Sequence, residues 1–564
     1  MAKVKTKVKT VYNVDTVFKD IASGITGVAI FAILVFFPLY THDAYFDILG
    51  ARYVLFKLIV IIMMILMFLL VLAYLFIDNR NSTYNTNGSA FDRLVDSIRP
   101  ENFKKHIIIT DIFFAVMMLG AAISTRFSLF PSESFFGNSG RYQGLECWLM
   151  YFMLYVMVSR TFRYKRIYLD FAIVAGVFAS LWSATDFIYL DIFRFFVNVS
   201  SGQRVMFTSS IGNLDTFTNY TVIIFALAST LFLVEKNNAK AVFYAICTYI
   251  SSIGCIVGLA DNTVVGMGVF FLVAPLIALI DKRAIVRYFY LAAIFFFSIS
   301  CFKYMRYLPL TQNWMDSFYR ELSEIFAIRI LWILPFVIAI VLEYCFRKRV
   351  FTQNDQIITQ NVMDEECPKF IHKTWLILLS LFTAFIVFLF VDMNVTKIFT
   401  NIWAMIPSSH QLVISDDWGT HRGHNWRIAF TNFTQNFNWF QRFFGYGPET
   451  YLVVTERTFY HEMVDKYGEV YDSAHNEYIH YLICFGLVGL ISYLGTFISG
   501  IRYTLKAAKD HLDMCAIALA VIAYMAQAVV NIAIPITTPV FFTLMYMGVA
   551  HYLSTRDEEG ISVS

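Results

Sequence analysis

The stretch from Leu58 to Ile77 reads LIVIIMMILMFLLVLAYLFI, an apolar run with no charged residue. At a helical rise of about 1.5 Å per residue it spans a hydrocarbon layer of about 30 Å. A run apolar on every face has no solvated side, so it suits lipid or a deep core rather than a surface helix. Inside a bilayer the backbone must satisfy its own hydrogen bonds, and a helix does so within one segment. Runs of the same kind recur at Ile107–Ile123 and Trp375–Val391, so the chain reads as polytopic rather than merely anchored. Composition agrees: 564 residues, 58% hydrophobic, 15% charged, mean hydropathy +0.60. The net charge of +3 is too small to suggest a nucleic-acid partner. The 8 cysteines lie in or beside apolar runs except Cys367, and none forms a CxxC pair. Neither a disulfide framework nor a thiolate zinc site is expected.

The fold class that follows is all-α, a polytopic integral membrane helix bundle with about 14 transmembrane helices. The expected spans are 21–41, 54–77, 107–125, 145–160, 167–188, 217–234, 241–260, 264–280, 287–302, 330–346, 375–392, 477–501, 513–531 and 539–553. Lys3, Lys5, Lys7 and Lys9 precede the first run, which lacks a small-residue cleavage site and is expected to stay as a helix. Most of the 44 Lys and Arg residues fall in the terminal segments and in the connections near 78–106, 160–166, 235–240, 281–287, 346–374 and 502–511. The positive-inside rule then places both termini in the cytoplasm. Residues 1–392 form helices one to eleven with short loops, 393–476 a long extracytoplasmic loop, and 477–564 the last three helices and a cytoplasmic tail.

A loop as long as 393–476 should carry structure of its own. Trp426, Phe430, Phe433, Phe437, Phe440 and Phe444 recur at steps of four and three, which predicts one amphipathic helix ended by Gly445, Gly447 and Pro448. Packing against the bundle explains the stripe more simply than ligand stacking. Arg427 lies in the first turn of that helix, and outer loops also hold Arg141 and Arg204. Positive-inside selection disfavours outer arginines, so each needs a local reason. A guanidinium offers a planar fork for phosphate oxygens, and three from different loops could meet on one pyrophosphate. The bland alternative for each is an interfacial anchor.

His475 stands where the twelfth span begins, followed by Asn476, Glu477 and Tyr478. Imidazole is the usual group for taking a proton from a hydroxyl near neutral pH, although a histidine here could simply satisfy a helix start. Asp472 and Glu477 flank it and could orient it. No His/carboxylate spacing suggests a metal, and no cofactor is expected.

Two segments carry a resemblance. Trp426-Arg427 through Gly445-Tyr446-Gly447, and Ser473-Ala474-His475-Asn476-Glu477-Tyr478 through Gly486-Leu487-Val488-Gly489-Leu490, resemble the signature of the O-antigen ligase/polymerase superfamily, which includes the Wzy-type polysaccharide polymerases. Arg204 with Gly212-Asn213, and Arg141-Tyr142-Gln143-Gly144, are similar to its earlier outer motifs. The likeness covers residues from about 140 to 550. One departure stands out: where family members often carry a Ser-Arg pair, this chain has Asp261-Asn262-Thr263.

The resemblance implies a bacterial inner-membrane glycosyltransferase, with its active site on the extracytoplasmic side. The implied reaction is inverting and metal-independent, moving a glycan from undecaprenyl pyrophosphate to an acceptor hydroxyl. His475 and Arg427 would be catalytic, Arg141, Arg204 and Arg427 would hold pyrophosphate, and Asn476, Glu477 and Tyr478 would support them. Implied partners are the lipid-linked oligosaccharide, the bilayer and a chain-length regulator or flippase. Polymerisation of repeat units is favoured over ligation to a final acceptor. A transporter of lipid-linked glycans is the rival from another class; it would be expected to show internal repeats and ionisable residues deep in its spans, and Asp111 is a rare candidate.

Overall fold

The computed structural model describes residues 14–81, 91, 92, 95, 96, 99, 106–138, 141–308, 317–353, 356–403 and 413–562. The chain is helical almost throughout; its described strands form two antiparallel pairs, Phe207–Thr208 with Gly212–Asn213 and Arg349–Gln353 with Gln356–Gln360. The principal helices before the long loop are α1 (Val14–Leu39), α2 (Ile48–Asn81), α3 (Ile109–Phe127), α4 (Leu145–Thr161), α5 (Ile167–Phe187) and α6 (Leu214–Val234). They continue as α7 (Asn238–Val257), α8 (Asn262–Ala278), α9 (Lys282–Met305), α10 (Phe326–Arg347) and α11 (Lys369–Thr396). The long loop contributes α12 (Trp418–Thr431), α13 (Trp439–Phe444) and α14 (Tyr451–Tyr467). The chain returns to the bundle as α15 (Glu477–Ala507), α16 (Met514–Val530) and α17 (Thr538–Ser562).

A helix stands at each expected span. Among the described residues, 10 are long and apolar enough to cross a membrane, which makes this a multi-pass membrane protein. The other four are α4, at 17 residues, the shorter apolar α8 and α16, and α17.

Helix α6 forms the centre, buried on every side from Thr216 to Leu233 and packed by α5, α7, α8 and α16. Of its hydroxyls, Thr218 and Thr230 donate to carbonyls one turn back at 2.8 and 2.7 Å, whereas those of Thr216, Tyr220 and Ser229 are buried with no partner among the described residues. A second layer sets α15 against α3 and α17, and α17 against α4. By contrast α10 buries only Pro335 and Ala339, and the long helical part of α11 only Leu389. Their exposed Val, Ile, Leu and Phe side chains suit contact with acyl chains. Asp111 sits in the first turn of α3, where it accepts from the Ile108 backbone at 2.8 Å and the Tyr155 hydroxyl at 2.5 Å and pairs with Arg160 at 2.6 Å. It closes a helix end rather than lying loose in a span.

The aromatic stripe is not one helix. After α12 the chain makes a wide turn over Asn432–Asn436, and α13 then starts afresh. Asn438 accepts from the Gln441 backbone at 2.9 Å, while the Gln441 side chain accepts from the Asn438 backbone at 3.0 Å. This reciprocal cap makes a new helix start locally stable and overrides the periodicity. Trp426 and Phe437 are therefore buried, Phe433, Phe440 and Phe444 half-buried, and Phe430 exposed.

What fastens the loop to the bundle is a backbone junction. Helix α15 is interrupted at Gly486 (φ 66°, ψ −166°), and Gly445 has a similar conformation (φ 73°, ψ −169°). The freed carbonyls of Ile483 and Cys484 accept from Tyr446 N at 3.2 Å and Gly447 N at 2.9 Å. A Cβ at Gly445 would lie 2.2 Å from the Cys484 carbonyl oxygen, and one at Gly486 would lie 2.5 Å from the Phe443 carbonyl. The two glycine-bearing motifs are thus halves of one contact that no other residue permits.

Candidate active site

The junction seats α12 and α14 over the start of α15, and side chains complete the assembly. Asn425 donates to the Ser473 carbonyl at 2.7 Å and the Trp426 indole to the Ala474 carbonyl at 2.8 Å. Tyr451 in turn donates to the Asn425 side chain at 2.5 Å. The next residue, His475, is held in left-handed backbone (φ 48°), a conformation that non-glycine residues adopt only when their surroundings over-determine it. Asn476 then caps α15, accepting from the backbones of Tyr478 and Ile479, each at 3.0 Å.

The residues expected to support His475 serve the helix instead. The Glu477 carboxylate is buried and accepts from Tyr493 and Tyr524 at 3.0 and 2.7 Å, and Tyr478 donates to the Met525 carbonyl at 2.6 Å. They hold α15 to α16 and leave the imidazole to other neighbours.

Those neighbours are arginines. Arg141 grips Asp472 through Nη2, with contacts of 2.8 and 2.7 Å to the two carboxylate oxygens, and its backbone N donates to Glu449 at 2.9 Å. Arg422, from the start of α12, pairs with Asp215 at 3.6 Å. Asp215 lies in the first turn of α6, which Asn213 caps by accepting from the Asp215 and Thr216 backbones at 2.9 and 3.3 Å. Gly212-Asn213 is therefore a turn and a helix cap that present this carboxylate. Burial, then the positive charges of Arg422 and Arg141, push the His475 imidazole down to about 4. It is neutral at ordinary pH, and its Nδ1 is buried with no hydrogen-bond partner among the described residues. Burial raises the Asp472 carboxyl, but Arg141 outweighs it and holds the group below the usual range.

Arg427 and Arg204 lie elsewhere. The Arg427 side chain, 45% exposed against 19% for Arg141 and 22% for Arg422, is enclosed by acids. It contacts both oxygens of Asp416 at 3.0 and 3.2 Å and Glu462 at 2.5 Å, with Lys466 also on Asp416 at 2.6 Å. These bonds, Arg427's first, hold Asp416 down at about 2. His424 bridges the same Glu462 to the Tyr471 hydroxyl, so the network ties α12 to α14. Arg204 lies over the rings of Tyr189 and Phe196 at 4.8 and 4.6 Å. Of the three arginines expected to meet, the structure brings Arg141 to His475; its companion there is Arg422.

Arg422 escaped the sequence reading because it precedes the aromatic periodicity. Gly419, Thr420 and His421 all take left-handed backbone and re-aim the chain before Arg422, a path that helical spacing cannot show. A signal was present in Gly423: a Cβ there would lie 1.8 Å from the Ser415 carbonyl, which marks a close backbone crossing. Among the described residues no group of three or more His, Cys, Asp or Glu side chains gathers around a common point suited to a metal ion. Searches for known relatives found no protein-family model that matches the chain and no curated protein that matches it.

Proposed function

We propose that the protein is a membrane glycosyltransferase that polymerises glycan repeat units carried on undecaprenyl pyrophosphate. On this reading all fourteen helices cross a bacterial inner membrane and the long-loop face is extracytoplasmic. The observation that carries it is the setting of His475: a neutral, half-buried imidazole flanked by guanidiniums from two separate segments. Paired arginines suit a pyrophosphate, whose charge grows as it leaves. The Arg422–Asp215 contact at 3.6 Å is long enough to yield to a stronger anion.

In the reaction, the acceptor oxygen forms a bond to the anomeric carbon while the carbon–oxygen bond to pyrophosphate breaks on the opposite face. The bonding pair departs with the phosphate toward Arg141 and Arg422. His475 accepts a hydrogen bond from the incoming hydroxyl through its imidazole and orients it. A pKa of about 4 makes it a weak base, so the hydroxyl proton transfers late, once the oxygen has gained positive character. The motif departure at Asp261-Asn262-Thr263 fits this reading. Asn262 donates to the Asp215 carbonyl at 3.1 Å, so that corner adjoins the residue that Arg422 pairs with. Arg422 would bring from the loop the charge that the resemblance expects from the helix.

The test is the lipid-linked glycan profile of cells lacking the protein. Polymerisation expects single repeat units to accumulate on lipid, restored to long chains by the wild-type gene but not by Arg422→Ala at equal membrane abundance. Long chains still on lipid would instead mean ligation, and an unchanged profile would remove the glycosyltransferase reading.

A further inference from the structure

The Arg141-Tyr142-Gln143-Gly144 segment sends consecutive side chains in different directions. Tyr142 has left-handed backbone (φ 58°), and Gly144 is packed so tightly that a Cβ would lie 2.5 Å from the Phe135 carbonyl oxygen. Arg141 consequently turns toward Asp472 and His475, whereas the Tyr142 ring stacks on Tyr53 of α2, with centroids 4.9 Å apart and an interplanar angle of 19°. Beside this stack is an open groove of about 420 Å³, lined by Tyr40, His42, Asp47, Gly50, Tyr53 and Tyr142. Its size is ordinary for a small-ligand site, about 300–1,000 Å³.

We propose that this groove is a glycan subsite, holding a sugar of the lipid-linked oligosaccharide next to the reacting residue; the inference rests on the glycosyltransferase reading. Aromatic rings present an electron-rich face, which attracts the weakly positive C–H face of a pyranose. Asp47 accepts hydrogen bonds from sugar hydroxyls, and His42, 3.1 Å from it, both donates and accepts. Among the described residues the lining holds no lysine or arginine, and the adjoining Lys57, 4.8 Å over the Tyr53 ring, is neutralised by Glu146 at 2.9 Å, which argues against a phosphate or an anionic lipid headgroup as occupant. Gly50 keeps the floor open: its missing Cβ would lie 2.7 Å from the Asp47 carboxylate and 3.9 Å from the Tyr142 hydroxyl. The groove begins one residue from Arg141, so a phosphate at the arginines and a sugar beside Tyr142 can belong to the same ligand.

The experiment uses full-length protein in nanodiscs, titrated with two probes: bare undecaprenyl pyrophosphate, and lipid-linked oligosaccharide extracted from cells lacking the protein. Tyr142→Ala and Asp47→Ala should each weaken binding of the oligosaccharide-bearing lipid about tenfold, in line with loss of one hydrogen bond to a charged group or one aromatic contact. Binding of the bare lipid should stay unchanged. Asp47 is half-exposed, so its replacement keeps the test open if Tyr142→Ala fails to fold. Equal weakening for both probes, or for neither, overturns the subsite while leaving the glycosyltransferase reading intact. A wild-type protein that binds neither probe removes that reading, and the subsite with it.

Discussion

Replacing Gly486 with alanine should release the long loop from the bundle while leaving the bundle folded. Gly486 and Gly445 both occupy a region of backbone space used almost only by glycine, where a side chain costs about 1–3 kcal/mol. The added Cβ would also meet the Phe443 carbonyl at 2.5 Å and Gly445 N at 2.6 Å, backbone atoms that cannot swing aside. Relief requires the two segments to part, which sacrifices the Tyr446 N to Ile483 O and Gly447 N to Cys484 O bonds. Each contributes about 0.5–1.5 kcal/mol, so the total cost is about 2–6 kcal/mol. Hydrogen exchange and limited proteolysis of residues 413–476 would measure the release. Gly268→Ala, whose new methyl would have no atom of the described residues within 4 Å, serves as the control. Gly445→Ala breaks the same contact, so the double variant should cost little more than either single one. Protection of the loop at wild-type level in Gly486→Ala would refute the junction as its fastening.

The remaining expectations concern charge. His475 titrates near 4 in the folded protein against about 6.5 unfolded, so its neutral form contributes stability fully above pH 6.5, lost as pH falls from there toward 4. Transfer activity should accordingly be flat through neutral pH and fall only as pH drops through about 4. Arg422→Gln removes a positive neighbour and should move that inflection up; an inflection fixed near 6.5 in both proteins would contradict the arrangement. For Arg427, the acid cage predicts that Asp416→Asn reproduces the loop loosening of Arg427→Ala by hydrogen exchange. A strong loss of pyrophosphate binding in Arg427→Ala, with the loop still protected, would instead place it on the ligand. Transfer by the reconstituted protein should survive excess EDTA; loss restored by magnesium or manganese would show that a metal takes part.

The sequence by itself determined the architecture. Runs such as Leu58–Ile77 and Trp375–Val391 leave the backbone no choice but a helix in an apolar medium, and that argument depends on local composition alone. It also marked His475 at a helix start, and it held both glycine-bearing segments as motifs of the resemblance without showing that they meet. Tertiary structure decided which arginines meet the histidine. Arg427 was conspicuous by position, yet Asp416 and Glu462, eleven residues before it and thirty-five after, enclose it. Arg422 reaches the site through three consecutive left-handed residues, and Asp215 comes to it from a helix more than two hundred positions earlier. Charge pairs form between groups that folding makes adjacent. A linear sequence records neither the direction a loop takes nor the carboxylate that lies at its end.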